Sequence, residues 1–148
     1  MKFNTKTRYG IRAMIELVLN EKQEGMYQKD IAKNQDISFK YLDQIISALK
    51  SSGLITTVGG KKSGYKLVQD PKEISMYDIF KAFNSDLEII ECLSNEEECI
   101  KEHKCAARNF WHVLNDTIIE YMQSFSLDKL AQEQKKINES SQEITYNI

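Results

Sequence analysis

DIAKNQDISFKYLDQIISALKSSGLI, residues 30–55, holds two apolar groups at helical spacing with a polar turn between them. Ile31 and Ala32 predict a short first helix. Ser38 follows the turn, where its hydroxyl can accept hydrogen bonds from the free amides that begin a second helix, and Gly53 is placed to end that helix. The second helix has one apolar face at positions i, i+3, i+4 and i+7, made of Leu42, Ile45, Ile46 and Leu49. Two helices joined by a short turn predict a helix-turn-helix.

A basic hairpin is predicted directly after the second helix. LITTV and YKLV are short β-branched and aromatic runs, and GGKKSG, residues 59–64, separates them. Glycines on both sides of Lys61 and Lys62 predict a hairpin with a basic tip. A helix-turn-helix followed by such a hairpin is a winged helix. Residues 1–84 are therefore predicted to form a winged helix-turn-helix domain in a mainly α fold with a small β-hairpin wing (α+β), and an α+β domain of another purpose is the alternative.

Charge is distributed unevenly along the chain. Residues 1–84 hold 14 Lys and Arg against 9 Asp and Glu, a net +5, whereas residues 85–148 hold 6 against 13, a net −7. A basic first half favours a polyanionic partner, although chance scatter of surface charge is the alternative. In a winged helix the second helix reaches base edges in the major groove, and wing lysines meet phosphates or the minor groove. The residues predicted to contact double-stranded operator DNA are Ser38, Lys40, Tyr41, Asp43, Gln44, Lys61 and Lys62.

Composition and motifs exclude several other classes of protein. The chain of 148 residues is 41% hydrophobic and 28% charged, as is usual for a soluble globular protein. MKFNTKTRYG at the start has no apolar core of a signal peptide, and no apolar run approaches the ~20 residues that span a bilayer. No Walker motif, dinucleotide fingerprint or catalytic constellation is present. The sequence therefore predicts a cytoplasmic protein that has no membrane partner and is not an enzyme.

A long helix is predicted in the second half of the chain. Ser75 and Asp78 first predict a capping box for a shorter helix. Apolar residues then recur at spacings of 3, 4, 3 and 4, namely Trp111, Leu114, Ile118, Tyr121 and Phe125. This a/d seam predicts a homodimer, which a palindromic operator requires, while packing inside the monomer is the competing interpretation. Residues 106–132 are predicted to form this dimerisation helix and a short final helix near Ser126–Gln132, and residues 133–148 a polar, disordered tail.

The three cysteines all lie in a loop predicted over residues 85–105. An odd cluster of thiols in a reducing compartment favours metal binding or redox chemistry over disulfides. Cys92, Cys99 and Cys105 suit an iron–sulfur cluster, because thiolates are the donors that such clusters prefer. Zinc held by the same thiols and His103 is the rival, although structural zinc favours shorter spacings. Inert buried thiols are a third possibility, which the acidic residues between the cysteines disfavour.

Taken together, these stretches resemble the IscR-like family of bacterial winged-helix regulators, whose relatives include NsrR and CymR. The resemblance rests on TRYGIRAM near the start, on residues 30–55, on GGKKSGY in the wing and on the spaced cysteines, and it covers roughly residues 1–130. It implies that Cys92, Cys99 and Cys105 ligate an iron–sulfur cluster, with 2Fe–2S favoured over 4Fe–4S.

Three features depart from the family pattern. The gaps between the cysteines are six and five residues rather than five and five. Arg108 stands where an IscR-type protein has a histidine three residues after its third cysteine, so the fourth ligand is unassigned and His103 is a candidate. Gly59 stands where IscR-type proteins carry a wing arginine, so their operator sequence is not carried over.

The resemblance implies a dimeric transcription regulator, of repressor type, whose operator binding is controlled by an iron–sulfur cluster. The cluster would sense iron–sulfur status, redox state or nitric oxide, and the iron–sulfur assembly machinery would be its donor. A zinc-stabilised or cluster-free winged-helix regulator, such as one of cysteine metabolism, stays open. A small iron–sulfur electron-transfer protein is also open, although the C-x₆-C-x₅-C spacing differs from the short ferredoxin spacings.

Overall fold

Six helices and one two-stranded sheet form the part of the chain that the computed structural model describes, residues 3–59, 64–93 and 104–146. In chain order these are α1 (Thr5–Leu19), α2 (Gln28–Gln35), α3 (Phe39–Ser51), β1 (Ile55–Thr57), β2 (Tyr65–Leu67), α4 (Met76–Lys81), α5 (Ala106–Ser124) and α6 (Leu127–Tyr146). A 3₁₀ turn, Glu91–Leu93, lies ahead of α5. None of the described helices is long and apolar enough to cross a membrane. The predicted mainly α fold with a small β-hairpin is confirmed.

The helix-turn-helix consists of α2, a tight turn and α3. Asp36 follows α2 with a left-handed backbone (φ 51°), which turns the chain sharply. Ser38 then caps α3, because its side chain accepts a hydrogen bond from the Tyr41 N–H. Gly53 follows the end of α3 at φ 74°, a conformation that glycine adopts without strain. The predicted apolar face of α3 is buried in the core at no more than 2% exposure: Leu42, Ile45, Ile46 and Leu49.

The wing is short and its base is fixed to the helical part of the domain. β1 and β2 pair antiparallel, with Thr57 opposite Tyr65. Met26, just before α2, exchanges two backbone hydrogen bonds with Tyr65, at 2.9 and 2.8 Å. A Cβ on Gly64 would lie 2.5 Å from the carbonyl carbon of Gly25, so only glycine permits this close approach of the two backbones. The base of the wing therefore holds a defined position beside the start of α2.

α4 connects the winged helix to α5. Its predicted capping box is observed: the Ser75 Oγ accepts from the Asp78 N–H, and the Asp78 carboxylate accepts from the Ser75 N–H at 3.0 Å. A second apolar group, here called the α4 cluster, consists of Tyr77, Phe80 and Leu87. Ile118, Ile119 and Met122 of α5 pack against it. One face of α5 is thereby held on the domain.

α6 turns back and packs against α1. Its first residue, Leu127, is fully buried and donates a backbone hydrogen bond to the Ile74 carbonyl at 2.8 Å. Ala131, one turn later, is 2% exposed. These contacts anchor the beginning of the helix in the main core.

The end of the chain corrects a prediction. The final helix continues through Tyr146, rather than stopping near Gln132, so residues 133–146 are helical and not a disordered tail. The anchored first turns remove the unfavourable nucleation step, and the Ala, Gln, Glu and Lys residues that follow are strong helix formers. Hydrogen bonds four residues apart add support, as between Gln134 and Asn138 at 2.9 Å.

Candidate DNA-binding face and cysteine site

The first turns of α3 present an exposed polar face. Ser38, Lys40, Asp43 and Gln44, all predicted to contact DNA, are exposed. Phe39 is 56% exposed beside them. Phe39 was not among the residues predicted to contact DNA, because it stands three residues before Leu42 of the apolar face and therefore resembles a core residue. Its place as the first residue after the helix cap, beyond the reach of the core, was the signal that could have found it.

Tyr41, also predicted to contact DNA, lies on another side of α3. Its ring is half-buried and packs against the main core. It meets the Tyr9 ring edge-to-face at 5.8 Å, and the Arg12 guanidinium lies 4.9 Å from the centre of the Tyr9 ring. Tyr41 therefore joins α3 to α1, whereas Lys40 and Gln44 point to solvent.

Lysines lie on the elements beside this face. Lys29 is exposed on the first turn of α2, and Lys66 is exposed on β2. The two predicted tip lysines, Lys61 and Lys62, lie outside the described residues. Exposed cations on neighbouring elements suit contacts with a phosphate backbone.

Two of the three predicted thiol ligands are described. Cys92 lies in the 3₁₀ turn, Cys105 immediately precedes α5, and both are free and half-buried. Arg108 joins the two segments. Its side-chain Nε donates to the Cys92 carbonyl at 3.5 Å, and its backbone N–H donates to the Cys105 carbonyl at 3.2 Å. Cys99 and His103 lie outside the described residues.

The chemistry of this donor set fits an iron–sulfur cluster in part. Cysteine thiols are the donors such clusters prefer, and two of them flank the start of α5. Arg108 has no acceptor atom, so it cannot be a further ligand. In the part of the chain that is described, no group of three His, Cys, Asp or Glu side chains is placed to hold a metal ion. A complete ligand set therefore needs Cys99 and a donor from elsewhere.

A buried asparagine fixes the cysteine-bearing segment on α5. Asn115 is 8% exposed and is the one buried residue of α5. Its Oδ1 accepts from the Ile89 N–H at 3.1 Å. Together with the Arg108 contact to Cys92, this bond holds the chain along the first half of α5.

The opposite side of α5 is apolar and uncovered. This outer face consists of Phe110 (60% exposed), Val113 (66%), Leu114 (36%) and Tyr121 (65%). The five predicted seam residues divide between surfaces: Leu114 and Tyr121 lie on the outer face, Trp111 is half-buried, Ile118 packs on the α4 cluster and Phe125 packs on the main core.

Comparison with known proteins identifies the family. The family model for Rrf2, described as an iron-dependent transcriptional regulator, matches residues 3–133. The chain is 28% identical over 145 residues to the HTH-type transcriptional regulator IscR of Pectobacterium atrosepticum, covering 98% of this chain and 88% of the relative. It is 30% identical over 138 residues to IscR of Photorhabdus laumondii, covering 93% and 84%.

Solved structures similar to this chain include regulators of the same kind. CymR, the global cysteine regulator of B. subtilis, is 30% identical with a TM-score of 0.76, over 90% of this chain and 98% of CymR. T. potens IscR is 26% identical with a TM-score of 0.73, over 93% and 90%. The fold and the exposed face of α3 define a winged-helix transcription regulator. The chain belongs to the Rrf2 family and is a DNA-binding regulator of the Rrf2/IscR type, not an enzyme.

Proposed function

We propose that the chain works as a homodimer that reads operator DNA with α3 and the wing, and that its cysteines hold an iron–sulfur cluster beside the dimer helix. The observation that carries this proposal is the layout of α5. Its inner face is fixed on the winged helix, its outer apolar face is uncovered, and a cysteine stands at its start. A change at the cysteines would therefore act on the helix that sets the spacing of two DNA-reading domains.

The start of α3 has the chemistry for reading bases. Lys40 and Gln44 can donate hydrogen bonds to purine edges, and the Asp43 carboxylate can accept from cytosine N4. The Ser38 hydroxyl can contact either kind of edge, and the exposed ring of Phe39 offers an apolar contact to a thymine methyl. Lys61 and Lys62 are proposed to meet phosphates or the minor groove, which adds salt-dependent affinity.

Salt dependence tests the wing. The probe is a duplex enriched from a random-sequence pool by the native chain. Lys61→Ala/Lys62→Ala should make the slope of log affinity against log salt shallower by about 2, because each phosphate contact contributes about 0.9. Lys135→Ala/Lys136→Ala is the matched control, since it removes two exposed lysines from α6. Equal slopes for the two pairs would remove the wing from the interface.

A second copy of the chain is the proposed partner of the outer face of α5. Phe110, Val113 and Tyr121 are each at least 60% exposed, and their burial in a partner contributes about 25 cal/mol per Å² of apolar area. A two-fold axis would bring the same face of both copies together. The dimer would then present two α3 helices to two half-sites.

Cys92, Cys99 and Cys105 are the proposed cluster ligands. When bound, the cluster supplies iron–sulfur bonds that respond to iron supply, oxidants and nitric oxide. The chain's own contribution is positional: Arg108 and Asn115 hold the segment around Cys92 on α5, and Cys105 begins that helix. The state of the thiols therefore bears on how α5 starts, and dimer spacing is a geometric requirement for operator binding.

A cluster-free regulator is the second candidate. Arg108 stands in the first turn of α5 as a cation without acceptor atoms, and its contact with the Cys92 carbonyl already joins the two cysteine-bearing segments. The similarity to a protein described as a global cysteine regulator favours the same candidate. In this case free thiols, rather than a cluster, would be the sensing groups.

Anaerobic purification followed by iron, sulfide and zinc analysis separates these candidates. We expect iron, sulfide and visible absorption, all lost in Cys92→Ala/Cys99→Ala/Cys105→Ala. His103→Ala tests the fourth ligand, with His112→Ala, at an exposed position on α5, as the matched control. A colourless protein with stoichiometric zinc would exclude the cluster. Metal-free protein with the same operator affinity as the loaded protein would exclude control of DNA binding by the cluster.

A further inference from the structure

Gln28 is a buried polar side chain at the junction of the elements that face DNA. It is the first residue of α2 and is 9% exposed. A buried amide without hydrogen bonds is unfavourable, so its partners explain why a glutamine lies there.

The amide of Gln28 contacts both other DNA-facing elements. Its Nε2 donates to the Phe39 carbonyl and to the Asp43 Oδ1 of α3, each at 3.4 Å. Its Oε1 accepts from the Tyr65 hydroxyl of β2, also at 3.4 Å. One side chain of α2 thus touches the start of α3 and the wing strand. Each bond is at the long end of the hydrogen-bond range, so their joint geometry matters more than any single one.

These partners allow one orientation of the amide. The carbonyl of Phe39 and the carboxylate of Asp43 are acceptors, so the NH₂ group must face them. A flipped amide would place Oε1 against two acceptors and NH₂ against the hydroxyl. The Tyr65 hydroxyl, by donating to Oε1, helps hold the NH₂ group toward Asp43. β2 therefore helps to fix the side chain of Gln28, which in turn holds the carboxylate of Asp43 in α3.

We propose that Gln28 is a positioning residue that sets the base preference of α3 by holding the Asp43 carboxylate. The inference rests on the proposed entry of α3 into the major groove. Asp43 is exposed, and with its Oδ1 held by Gln28 its Oδ2 is left to accept from a base. An unheld aspartate samples several rotamers, and discrimination between bases depends on a fixed direction of the acceptor.

Three substitutions separate the parts of this arrangement. Gln28→Leu removes both the donor and the acceptor while keeping a side chain of similar size. Gln28→Glu keeps the acceptor for Tyr65 but replaces the donor with a carboxylate that repels Asp43. Tyr65→Phe removes only the hydroxyl. Melting temperature shows whether each full-length variant folds, and Lys33→Ala, at an exposed position later in α2, is the matched control.

The readout is base preference rather than affinity alone. Duplexes enriched from a random-sequence pool by the native chain are varied one base pair at a time, and affinities are compared for each variant protein. At the base pair whose preference Asp43→Ala abolishes, Gln28→Leu and Gln28→Glu should reduce discrimination about threefold to tenfold, the value of one hydrogen bond. Tyr65→Phe should give a smaller loss in the same position. The salt slope should not change, since no phosphate contact is removed.

The double variant decides how Gln28 acts. In the Asp43→Ala background, Gln28→Leu should produce no further loss of discrimination, because the group that it positions is gone. An equal loss in both backgrounds would mean that Gln28 acts through the general fold, and the inference would fail. Unchanged base preference in all Gln28 variants, with a clear effect of Asp43→Ala, would also overturn the inference about Gln28. The proposed contacts of α3 with bases would then still stand. No effect of Asp43→Ala, Lys40→Ala or Gln44→Ala would overturn both proposals.

Discussion

α3 and α5 carry the same apolar spacing but bury it differently. Leu42, Ile45 and Ile46 of α3 stand at i, i+3 and i+4 and are at most 2% exposed. Phe110, Val113 and Leu114 of α5 stand at the same spacing and are 36–66% exposed. The spacing predicts that a helix has an apolar face. It does not say whether that face is covered by the same chain.

The difference follows from the neighbours of each helix. α3 is enclosed by α1, α2 and β1, so its apolar face meets the main core. α5 has already used one face to pack on the α4 cluster, and the described chain supplies no element to cover the other. A helix that is apolar on two sides needs two partners. This is why we propose a second copy of the chain as the partner of the outer face of α5.

The largest effect is expected from charges on the outer face of α5. Val113→Asp/Leu114→Asp should weaken the dimer by at least about 4 kcal/mol, or roughly a thousandfold in dissociation constant, because two carboxylates from each copy would be buried without partners. Sedimentation at micromolar concentration measures this. His112→Asp/Gln123→Asp is the matched control, since it adds the same charge at exposed positions outside that face. An unchanged dimer mass in the first variant would place the interface elsewhere.

A truncation in α3 should act on folding instead. Ile45→Ala removes a fully buried side chain and should lower the free energy of unfolding by about 3 kcal/mol, the loss typical of a core isoleucine. Val113→Ala should change it by less than about 0.5 kcal/mol in the monomer, because Val113 is 66% exposed. Urea unfolding in the Leu114→Asp background keeps dimerisation out of the comparison. Similar losses at the two positions would show that α5 is covered within the monomer.

The same contrast explains what could be predicted from the sequence. Ser38, Gly53 and the Ser75–Asp78 box were predictable because caps act through local chemistry within one turn. The burial of the α3 stripe was predictable because several neighbouring elements surround it. Which side of α5 faces the domain was not predictable, since it depends on where α4 places its apolar residues. Ile118 packs there for that reason, although it lies on the predicted seam.

Two other features of the fold could not be predicted from hydrophobic periodicity. The length of α6 was underestimated because its second half has little apolar pattern, while its stability comes from helix-forming residues that continue an anchored helix. Gln28 was not singled out, because a polar residue at the start of a helix looks exposed in sequence. Its three partners come from separate parts of the chain and meet only in the fold.

A smaller effect should appear where the inner face of α5 holds the cysteine-bearing segment. Asn115→Ala leaves the Ile89 N–H without its acceptor, which should lower the free energy of unfolding by about 2 kcal/mol. Asp116→Ala, at the exposed next position, should have almost no effect. Urea unfolding gives both values, and hydrogen exchange at Ile89 should accelerate only in Asn115→Ala. Retained protection at Ile89 would mean that the bond to Asn115 does not hold the segment.

The smallest difference concerns how the two helices begin. Ser38 caps α3 with a side-chain hydrogen bond, whereas Cys105 precedes α5 without one. Ser38→Ala should therefore lower the free energy of unfolding by about 1 kcal/mol. In metal-free protein, Cys105→Ala should change it by less than about 0.5 kcal/mol, because the thiol satisfies no amide of the helix. Urea unfolding of metal-free variants in the monomeric background measures both. A loss at Cys105 equal to that at Ser38 would make the thiol a structural part of α5, whereas a negligible loss leaves it available for ligation or redox chemistry.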